Sequence, residues 1–282
     1  MTGVLTDGIA FGESPRWHDG RLWFADWLAH EIVAVTPAGE REVVFRADFP
    51  TMPMCFGFLD GDPLIVSSSQ GRLLRLSRDG SLSTHADLGS TGFNEIVVAS
   101  DGGCYVNGGG FDLMAGEPYR PGGVWHVSPA GVARQVADDI AFGNGMALTP
   151  DGSTLVVAES YANRLTAFTV SPDAVLSERR VWADLGDGVP DGIALDASGA
   201  IWVADVPGKS CTRVREGGEV LERVELDRGC FACALSEDTL YLVAQEWHGL
   251  DGVGGPRTGR ILTHPVDQSS SGGAVATSSE SC

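Results

Sequence analysis

Residues 191–205 read DGIALDASGAIWVAD, an apolar run, a Gly-containing turn and a second apolar run, and five other stretches share this construction. They are ESPRWHDGRLWFAD from Glu13, MCFGFLDGDPLIVS from Met54, NEIVVASDGGCYVN from Asn94, NGMALTPDGSTLVVAE from Asn144 and FACALSEDTLYLVA from Phe231. Successive starts lie 41, 40, 50, 47 and 40 residues apart. A period in the forties built from strand signals indicates a β-propeller, one four-stranded antiparallel blade per repeat. Apolar residues recur two and four positions after each start, as in Ile96 and Val98 or Ile193 and Leu195. That is the register of a strand with one face against a neighbouring blade.

Two further strands complete each blade: residues 31–36 and 41–47 are expected in the first, 72–77 and 82–87 in the second, 164–170 and 178–184 in the fourth. The sixth takes 239–244 and 260–266, after which the chain runs into QSSSGGAVATSSESC, too polar and small for a core strand. Residues 2–6 are therefore expected to supply its outer strand and close the ring, which removes the free edge. The expectation is an all-β, six-bladed propeller over residues 1–267, with a disordered tail over 268–282. No segment combines helix caps with helical periodicity.

A chain of 282 residues can bury roughly three quarters of its unfolded surface and needs no disulfide staples. Its 38 glycines suit a structure rich in tight turns. The net charge of −19 repels phosphate backbones and anionic membranes, so neither nucleic acid nor membrane is an expected partner. No protein partner is evident, and no run reaches the ~18 apolar residues of a membrane span. Residues 1–15, MTGVLTDGIAFGESP, have neither the basic nor the apolar part of a secretory signal. With six scattered cysteines, a cytoplasmic protein with reduced thiols is expected. Cys230 and Cys233 form a C-x-x-C with no second pair at zinc spacing, and read as buried small hydrophobes. There is no G-x-S-x-G elbow and no nucleotide fingerprint.

The first position of the repeat carries Glu13, Met54, Asn94, Asn144, Asp191 and Phe231. Equivalent positions lie at one height around the axis, so four oxygen-bearing side chains can converge there, with Met54 and Phe231 as a dry wall. Hard divalent cations take such ligands. Glu13, Asn144 and Asp191 would hold the ion, and Asn94 would be a fourth ligand or hold a water. The alternative is that these groups satisfy backbone atoms at strand ends, and Asn144-Gly145 and Asp191-Gly192 are also ordinary turn formers. Glu13 favours the first reading, because glutamate is not a preferred turn residue.

The ordered motifs GESPRW (12–17), FNE (93–95), GNGMALTPDGSTLVVAES (143–160), VPDGIALDASGAIWVAD (189–205) and CFACALSEDTLYLVA (230–244) carry a resemblance. Here the chain resembles the senescence-marker/gluconolactonase family, which includes luciferin-regenerating enzymes. The resemblance implies one divalent cation on Glu13, Asn144 and Asp191, with Asp191 also the general base. It implies substrate contacts for Asn94 and, in the third-blade insertion, Asp112. Gly92 stands where sugar-lactone hydrolases of the family often carry arginine, Glu95 stands where aspartate is common, and Gly143 replaces a frequent proline or serine. The implied activity is metal-dependent hydrolysis of a small lactone, with an organophosphate or aryl esterase, or a binding propeller without chemistry, as alternatives. Calcium, magnesium, manganese and zinc all suit such ligands.

Overall fold

The computed structural model describes residues 2–49, 52–108, 110, 111, 113 and 116–266. Asp112 and residues 268–282 lie outside this set. Six four-stranded antiparallel sheets are present, each running from an inner to an outer strand. The inner strands are Gly12–His18, Met54–Leu59, Phe93–Val98, Gly143–Leu148, Pro190–Leu195 and Gly229–Leu235, opening blades 1 to 6 in that order. Burial falls across each blade. In blade 5 the second strand Ile201–Asp205 is buried throughout, whereas the fourth, Val220–Glu225, is mostly exposed. A second strand is covered by blades on both faces, which is why it reads as a continuous apolar run rather than an alternating one.

The core is a set of interfaces between blades. Phe24 and Val33 of blade 1 pack on Tyr241 and Val243 of blade 6, and Trp23 and Ile32 pack on Met54 and Phe56 of blade 2. Equivalent clusters join blades 2 and 3, 3 and 4, 4 and 5, and 5 and 6, so the ring is complete. It is closed as the sequence suggests, though by a longer strand: Gly3–Ile9, the outer strand of blade 6, pairs with Gly259–Pro265. Cys211, Cys230 and Cys233 are free, buried thiols in the interface of blades 5 and 6. The described helices are two short 3-10 turns, Ser160–Ala162 and Leu250–Gly252, and no described helix is long and apolar enough to cross a membrane.

Two features of the inner strands position the site. Pairing with the second strand is irregular at the repeat's first position in five blades, with register shifts between Glu13 and Arg16, Phe93 and Glu95, Gly143 and Met146, Pro190 and Ile193, and Cys230 and Ala232. A bulge re-aims the side chain that it carries. Blade 2 pairs regularly from Met54↔Ser67 to Leu59↔Asp62, and Met54 is consequently buried between blades 1 and 2. The expectation of Met54 as a channel wall is thus corrected: Met52 and Pro53 line the channel in its place, while Phe231 does line it.

The second feature concerns the glycines after Asn144 and Asp191, which lie within strands and not in turns. A Cβ on Gly145 would meet Ile193 N at 2.5 Å and Asp191 O at 2.7 Å, and one on Gly192 would meet Ala232 Cα at 2.6 Å. Near the axis neighbouring inner strands approach so closely that only hydrogen fits between them.

Candidate metal centre

Glu13, Asn94, Asn144 and Asp191 line one cavity of about 520 Å³ at one end of the axial channel. They come from blades 1, 3, 4 and 5. Among the described lining residues Glu13 and Asp191 are the only charged ones. Burial pushes the Glu13 carboxyl well above its ordinary range, and the charges of Asp191 and Glu95 push it further. Asp191 is likewise raised, chiefly by burial; a hydrogen bond from the Asn144 side chain opposes this, and the charges of Glu95 and Asp205 add to it. Asp191 nevertheless keeps part of its surface open to the cavity.

The nearest cationic help is spent elsewhere. Arg16 faces the opposite end of the channel, donating to Glu95 Oε1 at 2.5 Å and to Ile96 O at 2.9 Å. Glu95 is therefore paired, while no basic side chain is among the described residues lining the cavity of Glu13 and Asp191.

Asparagine orientation is set by a chain of polar contacts. Asn144 donates from its amide nitrogen to Ser160 Oγ at 3.5 Å and to the Asp191 carboxylate. Ser160 in turn donates to Pro190 O at 2.6 Å, immediately before Asp191. Asn107 donates from Nδ2 to the Asn144 main-chain carbonyl, and Asn94 donates from Nδ2 to Gly143 O at 3.4 Å. An NH₂ group can only donate, so these contacts leave the side-chain carbonyl oxygens of Asn94 and Asn144 as the ones available to a ligand.

The site could accommodate a divalent cation by its chemistry: two buried carboxylates and two amide oxygens form an all-oxygen donor set. Among the described residues, no three His, Cys, Asp or Glu side chains form a metal cluster. A cation here would therefore draw on the asparagines as well as the acids. Asp112 lies outside the described residues, and Trp247, from the sixth blade, lines this cavity.

A second set of residues supports the first. At or one residue before the end of the second strand stand Asp26, Ser67, Asn107, Glu159, Asp205 and Gln245 in blades 1 to 6, and all six are buried. Five of them hold backbone beside the site. Asp26 accepts from the Ala10 and Phe11 N–H groups, both at 2.9 Å. Glu159 accepts from Ala141 N at 2.7 Å, Asp205 from Gly208 N at 2.9 Å, and Gln245 Oε1 from Gly12 N at 3.2 Å. Asn107 is the donor to Asn144 already described. The signal was present in the sequence, since five of the six quoted stretches end on these residues and the sixth stops one short.

Residues 11–246 match the SMP-30/Gluconolactonase/LRE-like region. The chain belongs to that family. A relative within reach of this SMP-30/gluconolactonase sequence is the 6-deoxy-6-sulfogluconolactonase of Pseudomonas putida, 26% identical over 237 residues, covering 79% of this chain and 78% of the relative. Among solved structures, a luciferin-regenerating enzyme superposes with a TM-score of 0.79 at 17% identity, over 93% of this chain and 94% of that one. Regucalcin from Agrobacterium tumefaciens, described as a calcium-binding protein, gives 0.76 at 23% identity, covering 92% of each chain. At these identities the structural likeness is one of fold.

Proposed function

We propose that this SMP-30/gluconolactonase family member is a divalent-cation-assisted lactone hydrolase, with the cation held by Glu13, Asn144 and Asp191. The observation that carries the reading is the meeting of these three side chains, from three blades, at a cavity with no basic residue among its described lining. Lactone-opening relatives in the same family support the reaction class.

When bound, the cation supplies Lewis-acid polarisation of the ester carbonyl. The chain's own groups do the rest. Asn94, facing the cavity, orients the lactone or the attacking water through its amide. Asp191 takes the proton from that water as the water oxygen bonds to the carbonyl carbon. The ring C–O bond then breaks, the departing alkoxide takes back the proton held on Asp191, and the hydroxy acid leaves, losing its own proton to solvent to become the carboxylate. Positioning of water and carbonyl in one enclosed cavity supplies much of the rate gain.

The test is hydrolysis of γ- and δ-lactones by chelator-treated protein, before and after adding Ca²⁺, Mg²⁺, Mn²⁺ or Zn²⁺ singly. Activity restored by a cation and lost in a folded Asp191→Ala variant is the expected result. Turnover by that variant at the wild-type rate, or cation binding with no turnover of any lactone, would overturn the reading.

A further inference from the structure

The cavity's walls are aromatic and stand on opposite sides of the axis. On one side, from blades 1 and 6, Phe11 stacks on Trp27 at 5.2 Å between centroids and meets Phe231 edge-on at 5.3 Å, and Phe231 meets Trp247 at 5.6 Å. On the other, from blades 3 and 4, Phe142 stacks on Tyr161 at 4.8 Å and Phe111 lies 5.6 Å from Phe142. In a six-membered ring, blades 1 and 6 face blades 4 and 3. Large apolar side chains are also left open at the mouth: Tyr161 is 50% exposed, Leu250 40% and Trp247 39%. An apolar rim of this kind around a concave site marks a surface that a ligand covers.

What the walls lack matters as much. Among the described lining residues there is no lysine or arginine, so a carboxylate, sulfonate or phosphate on the substrate would find no countercharge. Hydroxyl-bearing side chains do line part of the cavity, namely Ser68, Ser69, Thr91, Ser160 and Tyr161, with the Ser160 hydroxyl already donated to Pro190 O. Gly92 lines the wall without a side chain. A polyhydroxylated ring lying against the aromatic walls would leave the hydroxyls on that side unpaired, which is costly.

Resting on the hydrolase reading above, we infer that the substrate is a neutral lactone bearing an apolar substituent of aromatic or medium-chain alkyl size. Its ester group faces Glu13 and Asp191. Its substituent lies against the Phe11–Trp27–Phe231–Trp247 wall, because Phe231 occupies the repeat position between Asp191 and Glu13 and so adjoins both carboxylates.

The experiment compares γ-phenyl-γ-butyrolactone, γ-decalactone, unsubstituted γ-butyrolactone and glucono-δ-lactone on cation-loaded protein, with Trp247→Ala alongside. Wild type is expected to prefer the two substituted lactones in kcat/KM. The half-exposed Trp247→Ala should lose about tenfold on these, the worth of one buried ring face, and little on γ-butyrolactone. Preference for glucono-δ-lactone would overturn this inference and leave the hydrolase reading intact. Should no lactone be turned over, the hydrolase reading fails and the substrate class is still decided by binding. In chelator-treated protein the phenyl-substituted lactone should quench tryptophan fluorescence in wild type and much less in Trp247→Ala. Equal quenching in both, or stronger quenching by gluconolactone, would refute the apolar class.

Discussion

Gly145→Ala is the smallest change that separates a geometric account of the centre from a merely compositional one. The added methyl would lie 2.5 Å from Ile193 N and 2.7 Å from Asp191 O, and backbone atoms on a paired strand cannot step aside as a side chain can. Relief requires the inner strands of blades 4 and 5 to part by about 1 Å to restore van der Waals contact. Overpacking of this kind costs about 1–3 kcal/mol. Against it stands a gain of about 0.4–1 kcal/mol from a stiffer unfolded chain, because Gly145 has no positive φ to forbid alanine. The net expectation is a loss of roughly 1–2 kcal/mol, read from urea unfolding followed by tryptophan fluorescence. The larger effect falls on the centre, since Asn144 precedes the methyl and Asp191 is the residue it strikes. A displacement near 1 Å there should lower kcat/KM by about 100-fold, with weaker Ca²⁺ binding in calorimetric titration. Gly57→Ala is the internal control: its methyl would meet Val98 Cγ2 at 2.8 Å, a side-chain contact away from the cavity. That variant should lose some stability and keep its cation affinity. Wild-type cation affinity in Gly145→Ala would refute the idea that close strand approach sets the ligand positions.

The supporting residues make two further tests. Glu159 sits lower than an ordinary glutamate: burial opposes this, but hydrogen bonds from Ala141 N–H and Thr166 and the nearby Arg164 outweigh it. Its stabilisation is therefore complete above the unfolded value and drains away as pH falls through the folded one. Glu159→Gln should cost about 2 kcal/mol at pH 7, and the gap from wild type in urea midpoints should narrow between pH 5 and pH 3, whereas a gap independent of pH would refute the charge-based account. Asp26→Ala strips the acceptor from Ala10 and Phe11 N–H, so a loss of about 2–3 kcal/mol is expected from urea unfolding, with Asp26→Asn intermediate. An Asp26→Ala loss under ~0.5 kcal/mol, the size of an ordinary surface substitution, would show that water replaces the carboxylate.

The blades were legible because each repeat carries its own strand periodicity and turn, both local properties. The meeting of Glu13, Asn94, Asn144 and Asp191 was legible because symmetry converts equivalent sequence positions into one height on the axis. Symmetry misled at Met54, where blade 2 keeps regular pairing and has no bulge to turn the side chain inward. Nothing in the residue type announces that difference. Asn144-Gly145 and Asp191-Gly192 could equally have been turns, and only the closeness of the adjacent strand separates the two origins of the glycine. Of the aromatic walls only Phe231 was legible; the rest were hidden for another reason. Phe11, Trp27, Phe231 and Trp247 come from opposite ends of the chain and meet only after the ring closes.

That closure has a consequence for how the protein is made. Of the described strands, Gly3–Ile9 is the first to be synthesised, yet its partner Gly259–Pro265 is the last. At about 5–20 residues per second, the first strand waits many seconds for its mate on the ribosome. Meanwhile blade 1 presents an uncovered face and the emerging array keeps open strand edges, which are templates for wrong pairing. The step that ends this exposure also brings Phe231 and Trp247 onto Phe11, and Gln245 onto the backbone of Gly12 beside Glu13. Completion of the ring and completion of the aromatic-walled cavity are thus one event, so a nascent or misassembled chain has no formed cavity until these two strands have met.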